Sequence, residues 1–419
     1  MSEEAFQVLR RGGWFTLSHL VVSVLGVLLL PFGLLAQADV SGFNEVYERL
    51  RIGALYSAEV PTGRLEFTRS NRDSLVHRYL ITVPESYSPV HRYPVVFYLH
   101  GGVSRPDPGP GGRWWRNMDR VLSEDHIAAL PLSWPESLWW QASQIENLRG
   151  ILSNLKHSYN IDENRVYAVG VSDGGTGVYF LGFRDTTPWA AFLSFIGYPG
   201  VLLNPRVGAD GEMHFANLSA KPFFIVNGET DRLYPAGWMQ PFLEDFDQAG
   251  VDYVFTVKTG GHHTRWWPDE SENIKQFMAS NPRNPLPKRI VWATERADRY
   301  NRAHWIVIDE LGPILGDEER SEWAALTSDG VSGLLEAVQE GNTITVKAFH
   351  VPRFTLLISP DAFDLEAPIR VVTNGDLSFE GWVEPSVETL EKWAERDEDR
   401  TMLFAGEIAI ELASPERGG

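Results

Sequence analysis

The sequence predicts an α/β protein: a mostly parallel sheet with helices on both faces, then a smaller β-rich domain at the C-terminal end. Three observations carry this. From about residue 78 to 280, apolar strand-like runs alternate with segments of helical spacing. Midway, Val166-Tyr167-Ala168-Val169 leads into Gly170-Val171-Ser172-Asp173-Gly174, which reads as strand, sharp turn and helix start. After Asn281-Pro282-Arg283-Asn284-Pro285-Leu286-Pro287, a linker by composition, the pattern changes to short, closely spaced strands.

The chain begins with a basic pair, Arg10-Arg11, an apolar run from Leu20 to Leu35, and Ala36-Gln37-Ala38. This is the pattern of a secretory signal cleaved after Ala38, so residues 1–38 are expected to be removed and the protein exported, to a periplasm or beyond. The run is short for a membrane span and holds Pro31 and Gly33, so no stable insertion is expected after cleavage. Residues 43–51 can form a short helix, with an extended segment after it.

Arg78–Pro84 alternates as a strand, and Pro84 ends it. Pro94–His100 is continuously apolar, as a strand buried on both faces should be. Residues 103–113, rich in Pro and Gly, form an irregular loop. Ile127–Leu132 reads as another strand. Leu148, Ile151, Leu152 and Leu155 sit at i, i+3, i+4, i+7, the stripe of an amphipathic helix. Asn160–Asn164 reads as a turn. Ala190–Ile196, Phe223–Val226 and Val251–Val257 are further strands. Met239, Phe242, Leu243 and Phe246 mark a helix that Gly250 stops. Beyond the linker, Ile344–Phe349, Phe354–Ile358, Ile369–Val372 and Glu407–Leu412 read as strands, Asn374-Gly375 as a hairpin turn, and Val387–Ala394 as one helix. The division is therefore 1–38, 39–283 and 284–419.

Composition narrows the function. The formal charge is −19, and Glu3, Glu4, Arg10 and Arg11 cancel, so residues 39–419 carry all of it. That argues against nucleic acid or an anionic membrane surface as a partner. With no cysteine there is no disulfide, thiolate metal site or cysteine nucleophile.

In an open α/β sheet, ligands bind beyond the carboxyl ends of the strands. Four features fall there: His100-Gly101-Gly102, Ser172, Asp231 within Gly228-Glu229-Thr230-Asp231, and His262-His263. A serine, an acid and a histidine at one edge can supply nucleophile, orienting group and base. Ser172 sits where a tight turn pushes its hydroxyl out of the sheet, with the Asp173 amide aimed at an oxygen of whatever it attacks. Gly330-Val331-Ser332-Gly333-Leu334 looks similar but has no strand before it. Asp231 also reads as a helix cap, and Glu229 as a rival acid. His262 and His263 near Asp269 and Glu270 do not make a metal site, because adjacent histidines diverge and no His-x-x-x-His pair is present. No cofactor is expected.

Jointly, Leu99-His100-Gly101-Gly102, Ile161-Asp162-Glu163-Asn164-Arg165-Val166-Tyr167, Gly170-Val171-Ser172-Asp173-Gly174-Gly175, Gly228-Glu229-Thr230-Asp231 and Gly261-His262 resemble the α/β-hydrolase superfamily. The order Ser, Asp, His is that superfamily's. Residues 78–280 are similar to secreted esterases of the polyhydroxybutyrate depolymerase and feruloyl esterase kind, and to the catalytic domains of prolyl-oligopeptidase-like enzymes. The resemblance implies the α/β-hydrolase fold, Ser172 as nucleophile, Asp231 as acid and His262 as base. It implies an oxyanion hole from the Asp173 amide and one from the Gly101–Val103 segment, Gly101 and Gly102 being the candidates. His100 then braces backbone, and His263 points away from Ser172. The propeller of a full prolyl oligopeptidase is not seen, which favours esters, small or oligomeric, over peptides.

Trp114 and Trp115, Trp134, Trp139 and Trp140, and Trp266 and Trp267 all fall in loops at the edge bearing Ser172. Trp114, Trp115, Trp140 and Trp266 are candidates to stack an aromatic acyl group or a sugar ring. Packing of the loops against one another is the other reading, and both stay open. An exported serine hydrolase of carboxylic esters is the expectation. A serine peptidase and a non-catalytic glycan-binding protein on the same fold are the alternatives.

Overall fold

Strand β5 (Ile161–Val171) shows how the sequence builds the sheet. Val166 and Ala168 enter one apolar core, while Tyr167 and Val169 enter the core on the opposite face. A strand buried on both sides needs apolar residues at every position, which is why this run carries no polar alternation. The computed structural model describes residues 32–114, 125–312 and 332–412, with side chains from residue 42 onward. Residues Gly42–Gly419 form one compact unit. The proposed signal up to Pro31, Trp115 and Gly330-Val331 lie outside the described residues.

The sheet holds β1 (Gly63–Ser70), β2 (Val76–Val83), β3 (Tyr93–Leu99), β4 (Ile127–Pro131), β5, β6 (Ala191–Phe195), β7 (Phe223–Gly228) and β8 (Tyr253–Lys258). Their order is β1-β2-β4-β3-β5-β6-β7-β8. β2 runs antiparallel to β1 and β4, and the rest pair in parallel. This is the α/β-hydrolase fold. The helices are α1 (Phe32–Ile52), α2 (Ala142–Ser158), α3 (Asp173–Arg184), α4 (Phe215–Leu218), α5 (Gln240–Ala249), α6 (Trp267–Ser280) and α7 (Val387–Asp397). The stripe Leu148, Ile151, Leu152 and Leu155 is buried on α2. Each such side chain contributes about 1.5–3 kcal/mol of apolar burial. The sheet face covered by α2, α3 and α5 is one core; Trp266 and Ile274, at α6, close the other. No helix among the described residues is long and apolar enough to cross a membrane.

One expected turn is part of a strand. Asn160–Asn164 reads as a turn by composition, yet β5 already starts at Ile161, with a register irregularity opposite Tyr93–Val95. The Asp162 carboxylate accepts the Asn164 amide, a local side-chain bond that kinks the strand without ending it.

The C-terminal region is β-rich. Five strands lie in the order Asp376–Gly381, Ile369–Thr373, Thr343–Phe349, Gly333–Glu340 and Arg289–Thr294. Four more lie in the order Arg302–Ala303, Ile306–Glu310, Arg353–Ile358 and Gly406–Glu411. Trp292, Leu335 and Val346 of one sheet share a core with Ile306, Phe354 and Ile408 of the other. Asn374 and Gly375 both take positive φ, as a two-residue hairpin turn needs.

This region meets the α/β sheet through a polar junction. Buried Arg283 donates to Asp399 at 2.7 Å, to Asn164 and to the Thr187 carbonyl. Arg400 pairs with Glu163, and Arg184 with Glu295. Asn217 on α4 donates to the carbonyls of Phe183 and Ala293 and accepts the Ala293 amide. Burial alone would raise the Asp399 pKa, but Arg283 and Lys156, with the Thr401 hydroxyl, hold it well below the usual carboxylate range.

Candidate active site

Ser172 sits between β5 and α3 with φ 58° and ψ −120°, a left-handed strain that non-glycine residues rarely accept. The turn is tight enough to exclude side chains on either flank. A Cβ on Gly170 would lie 2.0 Å from the Gly174 carbonyl oxygen, and one on Gly174 would lie 1.9 Å from that of Leu99. The Gly-x-Ser-x-Gly spacing is thus a packing requirement, and its result is a serine presented at the sheet edge.

Three sequence candidates meet there. Ser172 Oγ lies 2.7 Å from His262 Nε2, and His262 Nδ1 lies 2.7 Å from Asp231 Oδ2. Asp231 follows β7 and its side chain is fully buried. Its other oxygen accepts the amides of Leu233 and Tyr234. The carboxylate accepts Nδ1–H of His262, so Nε2 is left to accept the serine proton. Glu229, the rival acid, is exposed and has no part in this chain of bonds.

The loop after β3 is clamped against Ser172 from several sides. The Ser133 amide donates to His100 Nε2, so Nδ1 carries the proton and donates to the Gly101 carbonyl. Burial, and after it the Arg105 charge, lower the His100 pKa to about 4 against opposing effects of that bond and Asp173. His100 therefore stays neutral and braces the loop. Trp139 donates to the His100 carbonyl at 2.8 Å. Asp173 Oδ2 accepts the amides of both Gly102 (2.9 Å) and Val103 (3.0 Å). The Gly102 amide is thus already bonded to a carboxylate. The Asp173 amide opens α3, and first-turn amides have no carbonyl in their own helix. Gly101 touches the serine directly: a Cβ there would lie 2.8 Å from Ser172 Cβ.

Sequence reasoning missed Tyr234, Arg105 and Arg265. Tyr234 donates its hydroxyl to Asp173 Oδ1 at 3.3 Å and sets its ring edge-on to His262 at 5.5 Å. Burial, reinforced by Asp173, raises its pKa far above the ordinary tyrosine value, so it remains a donor. Tyr198 stacks on it at 5.8 Å, and exposed Trp238 lies 5.7 Å beyond Tyr198. A cleft of about 640 Å³ opens over Ser172, lined also by Ile196, Leu233, Arg105 and Arg265. The signal for Tyr234 was its place three residues past Asp231.

Three of the four candidate tryptophans lie elsewhere. Trp114 donates to the Leu130 carbonyl and packs with the core on the α6 face. Trp140 is buried, donates to the Val207 carbonyl and lines a separate cavity with Phe180 and Tyr300. Trp266 is buried against Phe195 at 5.3 Å. None of these three lines the Ser172 cleft; they pack the loops. His263, expected to turn away, lines the cleft as well, while its Nδ1 accepts the Arg265 amide at 3.4 Å. Among the described residues, no group of three or more His, Asp or Glu could hold a metal ion.

No family model matches the chain. No curated protein matches it. Among solved structures it is similar to a thermostable esterase, with 21% identity over 52% of this chain and 63% of that one, at TM-score 0.42. It is similar to a ferulic acid esterase, 18% identical over 53% of this chain and 99% of that one, at TM-score 0.41. Dipeptidyl peptidase 4 of Porphyromonas gingivalis is 15% identical over 52% of this chain and 35% of its own length, at TM-score 0.41. The chain thus spans about two-thirds or less of the first and last of these.

Proposed function

We propose that the protein is a serine hydrolase acting on carboxylic esters through Ser172, His262 and Asp231. The observation that carries the reading is the unbroken pair of 2.7 Å contacts from Ser172 Oγ through His262 to buried Asp231, with the serine on a strained turn. Ser172 Oγ attacks the ester carbonyl carbon and its proton passes to His262 Nε2. The oxyanion meets the Asp173 amide and the neighbouring Gly101 amide, since Gly102 and Val103 already serve Asp173. His262 then protonates the leaving alkoxide, and a water molecule repeats the sequence to release the acid.

Residues 39–283 carry the chemistry in this reading, and 284–419 support it. Export follows from residues 1–38 alone; a mature N-terminus at Asp39 would support it, and an uncleaved chain would count against it. The chemistry is tested with a neutral fluorophosphonate followed by matched ester and amide substrates. Labelling of Ser172 with ester turnover far above amide turnover is expected. Labelling at another residue, or none, would overturn the assignment.

A further inference from the structure

We propose that the ester cleaved at Ser172 carries a negatively charged group, a carboxylate being the simplest, held by Arg105 and Arg265. This rests on the hydrolase reading of the same cleft.

The chain has 56 acidic and 37 basic residues, so acidic partners are in excess. Arg78, Arg149, Arg165, Arg289 and Arg353 all pair with one. Arg105 and Arg265 both line the Ser172 cleft, and neither forms an ion pair among the described residues. They come from separate loops, one after β3 and one after His262, and converge on a single opening.

The Arg105 guanidinium lies 3.3 Å from where a Gly102 Cβ would stand, above the loop that abuts Ser172. The nearest acid in the cleft is Asp173. Its carboxylate accepts the Gly102 and Val103 amides and the Tyr234 hydroxyl, and among the described residues it forms no ion pair with an arginine. Asp231 is buried and committed to His262. The opening therefore carries two guanidiniums against the single carboxylate of Asp173, in a chain whose net charge would repel an anion. A guanidinium offers a planar fork of donors suited to a carboxylate. Leu233 and the Tyr234 ring supply apolar contact to the uncharged part of the same substrate.

The test uses rigid and flexible matched pairs, each an anionic ester and its isosteric neutral amide. One pair is methyl 4-carboxybenzoate and methyl 4-carbamoylbenzoate. A second is monomethyl glutarate and methyl 4-carbamoylbutanoate. A third puts the charge on the alcohol side, 3-acetoxybutanoate against 3-acetoxybutanamide. The readout is the ratio of kcat/KM, anionic over neutral, in wild type, Arg105→Gln, Arg265→Gln and the double variant. Neutral fluorophosphonate labelling reports in each case that the site is folded. In at least one pair the ratio should reach about 10- to 100-fold, the range of a charge-assisted contact, fall in each single variant and approach one in the double. Raising salt should lower it. A ratio near one in every pair, with Ser172 labelled and neutral esters turned over, overturns the anion proposal and leaves the hydrolase standing. A large ratio that survives the double variant overturns the role of the arginines. No labelling and no turnover of any ester removes the hydrolase reading, and this proposal with it.

Discussion

The Ser172 edge and the junction with the C-terminal region use the same residue types to opposite ends. At the junction these arginines reach acids directly: Arg283 with Asp399, Arg184 with Glu295 and Arg400 with Glu163. At the edge one acid, Asp231, is spent on orienting a histidine, while Arg105 and Arg265 face an opening. Closed pairs fix one arrangement of the chain; open groups are available to a ligand. Loss of an open group should therefore change rate, and loss of a paired one should change stability.

The largest separation comes from Ser172→Ala. It removes one hydroxyl from a half-buried position, so the urea midpoint should stay near that of wild type. Turnover should fall about 10⁴-fold or more, because the covalent step is lost. His262→Ala should match it, and the double variant should be no worse, as the two act as a unit. Additive losses would show that they do not.

Arg283→Met breaks the contrast from the other side. It leaves Asp399 buried without its main partner, a loss of about 3–5 kcal/mol. The denaturation midpoint should drop accordingly, while kcat of the remaining folded protein holds near wild type. A fall in kcat at unchanged stability would mean that the junction is not merely structural.

Asp173→Ala tests the clamp between the two loops of the site. With no acceptor for the Gly102 and Val103 amides, the loop beside Ser172 should shift, and small displacements there cost up to about 10²-fold in kcat with little change in KM. Both amides bond the same carboxylate oxygen, so the carbonyl oxygen of an asparagine side chain can replace it, and Asp173→Asn should recover most of the loss. Equal losses in the two variants would point to the charge instead of the clamp.

Much of this contrast was readable in the sequence, and the unread part has physical causes. β3, the Val166–Val169 part of β5 and the Phe223–Val226 part of β7 are buried on both faces, so these runs are apolar without interruption and easily seen. Ser172, Asp231 and His262 follow strand ends, and topology brings strand ends together. Helix α6 buries only Ile274 and Glu270, too faint a stripe to find by periodicity. Arg289–Thr294, beside the proline-rich segment, was not separated from it. Trp114, Trp140 and Trp266 sit in the expected loops, but loop composition does not say which way a ring turns. Nor can it reveal that Arg105 lacks an acidic partner, since pairing depends on residues far away in the chain.

The smallest effect is the acid sensitivity of the junction. Burial would raise the Glu295 pKa, but the bond from His214 and the charges of Arg184 and His214 outweigh it and lower the value to about 2. The folded form thus binds a proton less readily than the unfolded chain. Its contribution is full above the unfolded value of about 4.3 and fades as pH falls toward 2. Glu295 keeps about a fifth of its side-chain surface exposed, 19%, so solvent screening limits the contribution to about 1–2 kcal/mol. Glu295→Gln should therefore be less stable than wild type by that amount at neutral pH. The gap should close between about pH 4.5 and 2, where wild-type Glu295 takes up the proton that the amide mimics. Chemical denaturation of both proteins across this range would measure it. A gap that stays constant with pH would show that the substituted amide perturbs packing instead, and that the Arg184–Glu295–His214 cluster owes its stability to shape more than to charge.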